Sequence, residues 1–266
     1  MVATAERTET VWRDQIETRV KVAGSGPPVV FFHGAYGLQW DPFLDSLAAS
    51  HTVYAPEHPG TTPGAPDSLE PLDNLWDLVL YYYELFDALG LDRPAVIGHS
   101  FGGMVAAEVA ATNPERISKL ALIDPIGLWR DDAPVTNWMA VSLSDLPKYL
   151  FANPEGPLGQ MMSAAIKMEG DEALDAQIQV MWSLACTAKF VWPIPDKGLK
   201  KRIHRIKAST LIVWGKQDRI APPVYAEEFA SRIANSRVEL IDGAGHLPHL
   251  EQLHRVSALI TDFLKE

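Results

Sequence analysis

"VIGHSFGG", residues 96–103, has the pattern G-x-S-x-G, with Gly98, Ser100 and Gly102. It stands where an apolar run, "PAVIGH" (94–99), meets an alanine-built segment, "SFGGMVAAEVAATNP" (100–114). The run reads as a strand and the segment as a helix that stops before Pro114. A sharp strand-to-helix turn forces its central residue into a strained backbone conformation and pushes that side chain outward. Small residues two before and two after let strand and helix approach without a clash. The helix N-terminus then lies beneath Ser100, where its free N–H groups favour negative charge.

Working outward, short apolar runs alternate with longer amphipathic segments. "ETRVKVAG" (17–24), "PVVFFHG" (28–34), "TVYAPE" (52–57), "SKLALID" (118–124), "STLIVWG" (209–215) and "RVELID" (237–242) read as strands. Helical spacing covers 75–90, 223–234 and 249–266. This alternation predicts an α/β chain with a mostly parallel sheet and helices on both faces. One interval breaks the rhythm: Ser209 follows Asp124 by 85 positions, where a crossover helix and its loops need only about 20. The surplus is rich in Trp, Met and Phe and predicts a mainly helical insertion over one edge of the sheet. The expected division is 1–125 and 204–266 for the core and 126–203 for the insertion, with residues 1 to about 8 a loose tail.

The composition is that of a soluble globular protein, 47% hydrophobic and 21% charged. A net charge of −11 argues against nucleic acid and anionic membranes as partners. The basic run 197–207 reads as a solvated helix face. The single cysteine, Cys186, allows no intrachain disulfide and reads as a small buried apolar residue. The N-terminus shows no secretion signal, and no apolar window is long enough to span a bilayer. The expectation is a cytoplasmic monomer or homodimer that acts on a small molecule.

A serine hydroxyl is a weak nucleophile and needs a base within hydrogen-bond reach, itself oriented by an acid. In a parallel sheet all strand C-termini lie on one edge, so the partners should follow other strand ends. Asp218 stands three residues past Gly215, and His246 four past Asp242. One helix and one strand separate them, which places both beside Ser100. Asp124 also follows a strand end, although Asp124-Pro125 reads equally as a plain turn.

These motifs resemble the α/β-hydrolase fold superfamily over nearly the whole chain from about residue 10. "FFHGAYG" resembles its oxyanion loop, "APEHPG" a characteristic turn, and "GHSFGG" the nucleophile elbow. "WGKQDRIAP" is similar to its acid loop and "GAGHLPHLE" to its histidine loop, with Glu251 on the acidic position that follows. Glu57, Thr61, Thr62 and Leu253 depart from the pattern without touching Ser100, Asp218 or His246. The resemblance implies a sheet of about eight strands with the insertion as a cap domain. It favours Asp218 over Asp124 as the acid and places the oxyanion donors on the backbone of Ala35, with Tyr36 the alternative, and of Phe101. His33, His58, Asp41 and Glu57 read as structural or capping residues, and His99 as pointing away from the nucleophile.

Ser100 as nucleophile implies acyl transfer to water without a cofactor or metal; no metal-ligand spacing is evident. The expected substrates are small to medium, largely apolar esters or lactones bound against Tyr36, Trp138 and Leu247. A C–C bond hydrolase using the same triad is the alternative, and a non-catalytic ligand receptor a third reading. Of the histidines after His246, Pro248 places His249 and His254 on the following helix, His249 towards the pocket mouth and His254 on the surface.

Overall fold

The computed structural model describes residues 2–193 and 196–266; Ile194 and Pro195 of the insertion and Met1 lie outside them. Eight strands form one sheet in the order β1-β2-β4-β3-β5-β6-β7-β8. They are β1 (Ala5–Val11), β2 (Ile16–Ala23), β3 (Pro28–Phe32), β4 (Thr52–Pro56), β5 (Ala95–His99), β6 (Lys119–Ile123), β7 (Ser209–Gly215) and β8 (Ser236–Ile241). From β4 to β8 every pairing is parallel; β1 and β2 add an antiparallel edge. The central strands are buried on both faces, which is why they read as continuous apolar runs.

The first residues are not a loose tail. β1 pairs with β2 from Ala5↔Val22 to Val11↔Ile16. Its sequence, AERTETV, carries almost no apolar signal because the strand is exposed along most of its length. Partner pairing holds it, and Trp12 anchors its far end by donating from Nε1 to the Pro71 carbonyl and from its backbone N–H to Glu84.

Helices cover both faces. On one side α1 (Pro42–Ala48) and α9 (Leu253–Lys265) pack Phe43, Leu44, Leu47, Val256, Ile260 and Phe263 against the sheet. On the other lie α2 (Leu75–Ala88), α3 (Phe101–Thr112) and α7 (Val224–Ala230). Asp41 caps α1, accepting from the Leu44 N–H at 3.0 Å, and Asn74 caps α2. Every residue of α3 from Phe101 to Ala111 is buried, so its alanines and glycines reflect lack of room rather than helix propensity alone.

Between β6 and β7 the chain forms α4 (Leu146–Leu150), α5 (Pro157–Ile166) and α6 (Asp171–Val191), with short 3₁₀ turns around them. The large apolar residues here divide. Trp138, Leu146, Leu150, Phe151, Phe190 and Val191 join the core, whereas Met161, Met168, Met181, Trp182 and Trp192 are exposed. Among the described residues no helix is long and apolar enough to cross a membrane.

Candidate active site

The strand-to-helix turn at the end of β5 carries Ser100 at φ 54°, ψ −116°, a conformation that a side chain other than glycine rarely adopts. The flanking glycines are a steric requirement. A Cβ on Gly98 would lie 2.4 Å from the Gly102 carbonyl oxygen, and one on Gly102 would lie 2.2 Å from that of Phe32. Ser100 is held from both sides: its N–H donates to Ile123 and its carbonyl accepts from Met104 and Ile126.

The loop after β8 brings His246 over the serine. His246 Nε2 stands 2.7 Å from Ser100 Oγ, and its Nδ1 is 2.8 Å from Asp218 Oδ2. A carboxylate oxygen at Nδ1 sets the tautomer: Nδ1 carries the hydrogen, and Nε2 accepts from the serine hydroxyl. Asp218 follows β7 and is fixed in turn, since its Oδ1 accepts from the N–H groups of Ile220 (2.8 Å) and Ala221 (3.0 Å). All three side chains are buried.

Asp124, the rival acid, also lies beneath this site. Its Oδ1 accepts from the Gly215 N–H at 2.9 Å, while its Oδ2 has no partner. Complete burial, and then the neighbouring Asp218, push its carboxyl well above the usual carboxylate range, which disfavours its charged form. Donor atoms of Asp124, Asp218 and His246 lie within 4.8 Å of one another; two of the three side chains are already bonded to each other across the 2.8 Å contact.

His33, His58 and His99 belong to the scaffold. His99 Nε2 donates to the His246 carbonyl at 2.8 Å and supports the loop from below. His33 Nε2 accepts from the His58 N–H at 3.0 Å, and His58 bonds the His33 carbonyl and the Tyr82 hydroxyl. Burial lowers the pKa of His33, His58 and His99, and that of His58 falls to about 4. His249 does not share one helix with His254. It lies on a separate turn, α8 (Pro248–Glu251), buried against His99 and Phe43, and α9 begins only after Gln252. His254 is exposed on α9.

The insertion grips the catalytic-side loops directly. The His246 N–H donates to the Leu150 carbonyl at 2.8 Å. Glu251 accepts from Gly245 and Ala152, tying the histidine loop to the end of α4. The Thr136 N–H donates to Ile220, and Arg219 donates to the carbonyls of Lys148 and Phe151. These contacts are backbone-directed, so no side-chain pattern in the sequence announces them.

Two cavities meet at Ser100. The larger, about 180 Å³, is bordered by Phe31, Tyr36, Met162, Leu247 and Leu250, with Gln39, Asp41, His33, His99 and His249 among its polar lining. The smaller, about 10 Å³, is enclosed by Ala35, Tyr36, Trp138, Leu150 and Ile220 against Ser100 and His246. Tyr36, Trp138 and Leu247 therefore all reach the site; Leu150, Ile220 and Met162 also line it, and the sequence offered no signal for these three. The Ala35 N–H makes no hydrogen bond among the described residues, and the Phe101 N–H, first in α3, has no partner within the helix.

A family model described as alpha/beta hydrolase fold matches residues 27–253. The chain is 30% identical to a 2-hydroxy-6-oxononadienedioate/2-hydroxy-6-oxononatrienedioate hydrolase of Pseudomonas putida, over 94% of this chain and 88% of that protein. It is 26% identical to a 2-hydroxy-6-oxo-6-phenylhexa-2,4-dienoate hydrolase of Burkholderia cepacia, over 91% of this chain and 89% of that one. Longer proteins match too: the chain spans 12% of the length of a polyketide synthase of Burkholderia thailandensis at 28% identity. Among solved structures, the naproxen esterase of Bacillus subtilis superposes with a TM-score of 0.78 at 19% identity, covering 99% of this chain and 92% of that one. Sheet order, strained serine turn, cap insertion and a match over most of the length agree: the chain belongs to the alpha/beta hydrolase fold family and is a hydrolase.

Proposed function

We propose that the protein is a serine hydrolase that cleaves small to medium, largely apolar carboxylic esters or lactones through an acyl-enzyme. The observation that carries this reading is the continuous hydrogen-bonded line from Ser100 Oγ through His246 to Asp218, at 2.7 and 2.8 Å. Ser100 attacks the carbonyl carbon while His246 Nε2 takes the hydroxyl proton, and Asp218 stabilises the imidazolium that forms. The N–H groups of Ala35 and Phe101 face the developing oxyanion, each commonly worth ~3 kcal/mol in the transition state. His246 then protonates the leaving group, and water, deprotonated by His246, releases the acyl group and restores Ser100.

Cleavage of a C–C bond is the second reading, supported by relatives whose names specify dienoate substrates. A dienoate carries a carboxylate, and a buried anion calls for a cation or several donors. No Arg or Lys borders either cavity among the described residues. With Gln39 and His249 as neutral donors but Asp41 beside them and no cation, the lining suits neutral esters or lactones better than a carboxylate, with the apolar part in the 180 Å³ cavity.

The test is direct. Purified protein is expected to hydrolyse p-nitrophenyl butanoate and to be labelled at Ser100 by a fluorophosphonate, and Ser100→Ala is expected to lose both. Folded wild-type protein that takes no label would overturn the reading. Faster turnover of a dienoate C–C substrate than of any ester or lactone would favour the second.

A further inference from the structure

Six buried side-chain polar atoms lack a hydrogen-bond partner among the described residues, and two of them, Tyr36 OH and Trp138 Nε1, belong to residues walling the small cavity beside Ser100. Buried polar groups are normally satisfied, because an unmade hydrogen bond forfeits the whole cost of leaving water. Phenylalanine at either position would supply an aromatic wall without that cost. Neither donor serves the scaffold; apart from Ser100 and His246, whose side chains bond each other, the rest of the wall, Ala35, Leu150 and Ile220, offers no side-chain acceptor.

We infer that Trp138 and Tyr36 recognise a neutral oxygen substituent close to the scissile carbonyl, so that the substrates are oxygenated esters bearing an oxo, hydroxy or alkoxy group. The inference rests on the ester-hydrolase reading. An indole N–H can only donate, and a phenol can donate, so the matching group is an acceptor. At about 10 Å³ the space suits one oxygen atom rather than a chain. Its walls touch Ser100 and His246, which puts that oxygen within a few bonds of the reacting carbon. Without Arg or Lys in the lining, a carboxylate would have no cation beside it, which favours an uncharged acceptor for these two donors. A site built to hydrogen-bond a substrate oxygen discriminates against the analogue that lacks it, because its own polar groups are then left unpaired.

Four esters test this on wild-type protein, Trp138→Phe and Tyr36→Phe: ethyl butanoate, ethyl 3-oxobutanoate, 2-methoxyethyl butanoate and monoethyl succinate. The readout is kcat/KM relative to ethyl butanoate for each protein; comparing that ratio between proteins cancels intrinsic differences in reactivity between the esters. In the wild type, ethyl 3-oxobutanoate or 2-methoxyethyl butanoate is expected to exceed ethyl butanoate, and monoethyl succinate to fall below it. The oxygenated ester's ratio is expected to drop roughly fivefold or more in each variant. Two phenylalanine variants keep the test decisive should one fail to fold. A ratio unchanged in every folded variant, or a preference for monoethyl succinate, overturns the inference while leaving the ester-hydrolase reading intact. Wild-type protein that neither hydrolyses an ester nor takes the fluorophosphonate label sinks both.

Discussion

Two aspartates stand within reach of one histidine, and their surroundings give them different work. Asp218 bonds His246 Nδ1 and receives two backbone N–H groups; Asp124 receives one, and burial and Asp218 raise its pKa and disfavour its charged form. Asparagine mimics a neutral aspartic acid, so Asp124→Asn should keep kcat within about threefold of wild type. Asp218→Asn leaves His246 in the wrong tautomer and should lower kcat on the order of 10³–10⁴-fold. Steady-state ester hydrolysis checks both, and a collapse in the Asp124 variant would show that it carries the charge. Ser100, His246 and the acid loop were legible because each follows a strand end in a short motif. The choice between the two acids rested on motif resemblance, because both follow strand ends and only burial and contact distances separate them. Asp41 and His33 read as capping and structural residues, and the structure uses them in that way.

At the scale of elements, the elbow depends on backbone proximity. Gly102→Ala would press a methyl group to 2.2 Å from the Phe32 carbonyl oxygen, so β3 or α3 must move. The expected loss is about 3 kcal/mol, read from urea unfolding, with activity impaired in whatever folds. The end of the insertion is fastened differently. Arg202 donates to both oxygens of the buried Glu108 on α3, at 2.8 and 2.6 Å. Arg202→Met strands that carboxylate and should cost about 2–3 kcal/mol, less than a fully buried pair because the guanidinium is partly exposed. A shift of the urea midpoint within error of wild type would contradict this. Strands β3 to β8 were visible in the sequence because burial on both faces makes them apolar throughout. β1 was not, because an exposed edge strand has no apolar period to detect and is fixed by its neighbour.

For the whole molecule, five buried histidines set the acid limit. Burial lowers the pKa of His33, His51, His58, His99 and His249, to about 4 for His58 and about 3 for His249. The unfolded chain takes up these protons below about 6.5 while the folded chain resists. Their contribution to stability is therefore present above pH 6.5 and is lost as the pH falls towards 3–4. Asp124, Asp41 (raised to about 6) and Glu251 act in the opposite sense: burial raises their pKa, so the fold holds their protons in acid and their contribution is lost as the pH rises from about 4. The histidines outnumber these three carboxyl groups, so the balance is a net loss of stability on acidification from 6.5 towards 4. Urea unfolding at pH 7, 6 and 5 should show stability falling; a flat or rising profile would contradict it.

The sequence by itself determined the alternating α/β order, the strained serine turn, the strand ends that carry Asp218 and His246, and the position of the insertion. These are local or periodic properties, written wherever backbone geometry or double-sided burial restricts the residue type. Tertiary structure alone decided the edge strand β1, the burial of Asp124 beside Asp218, the separate turn that buries His249, and which insertion residues face Ser100. Each of these depends on contacts between segments far apart in the chain: Trp138 and Met162 reach the site while Met161 and Trp182 meet solvent. Residue type and spacing cannot encode that difference, because the same apolar side chain serves either place until the helices dock.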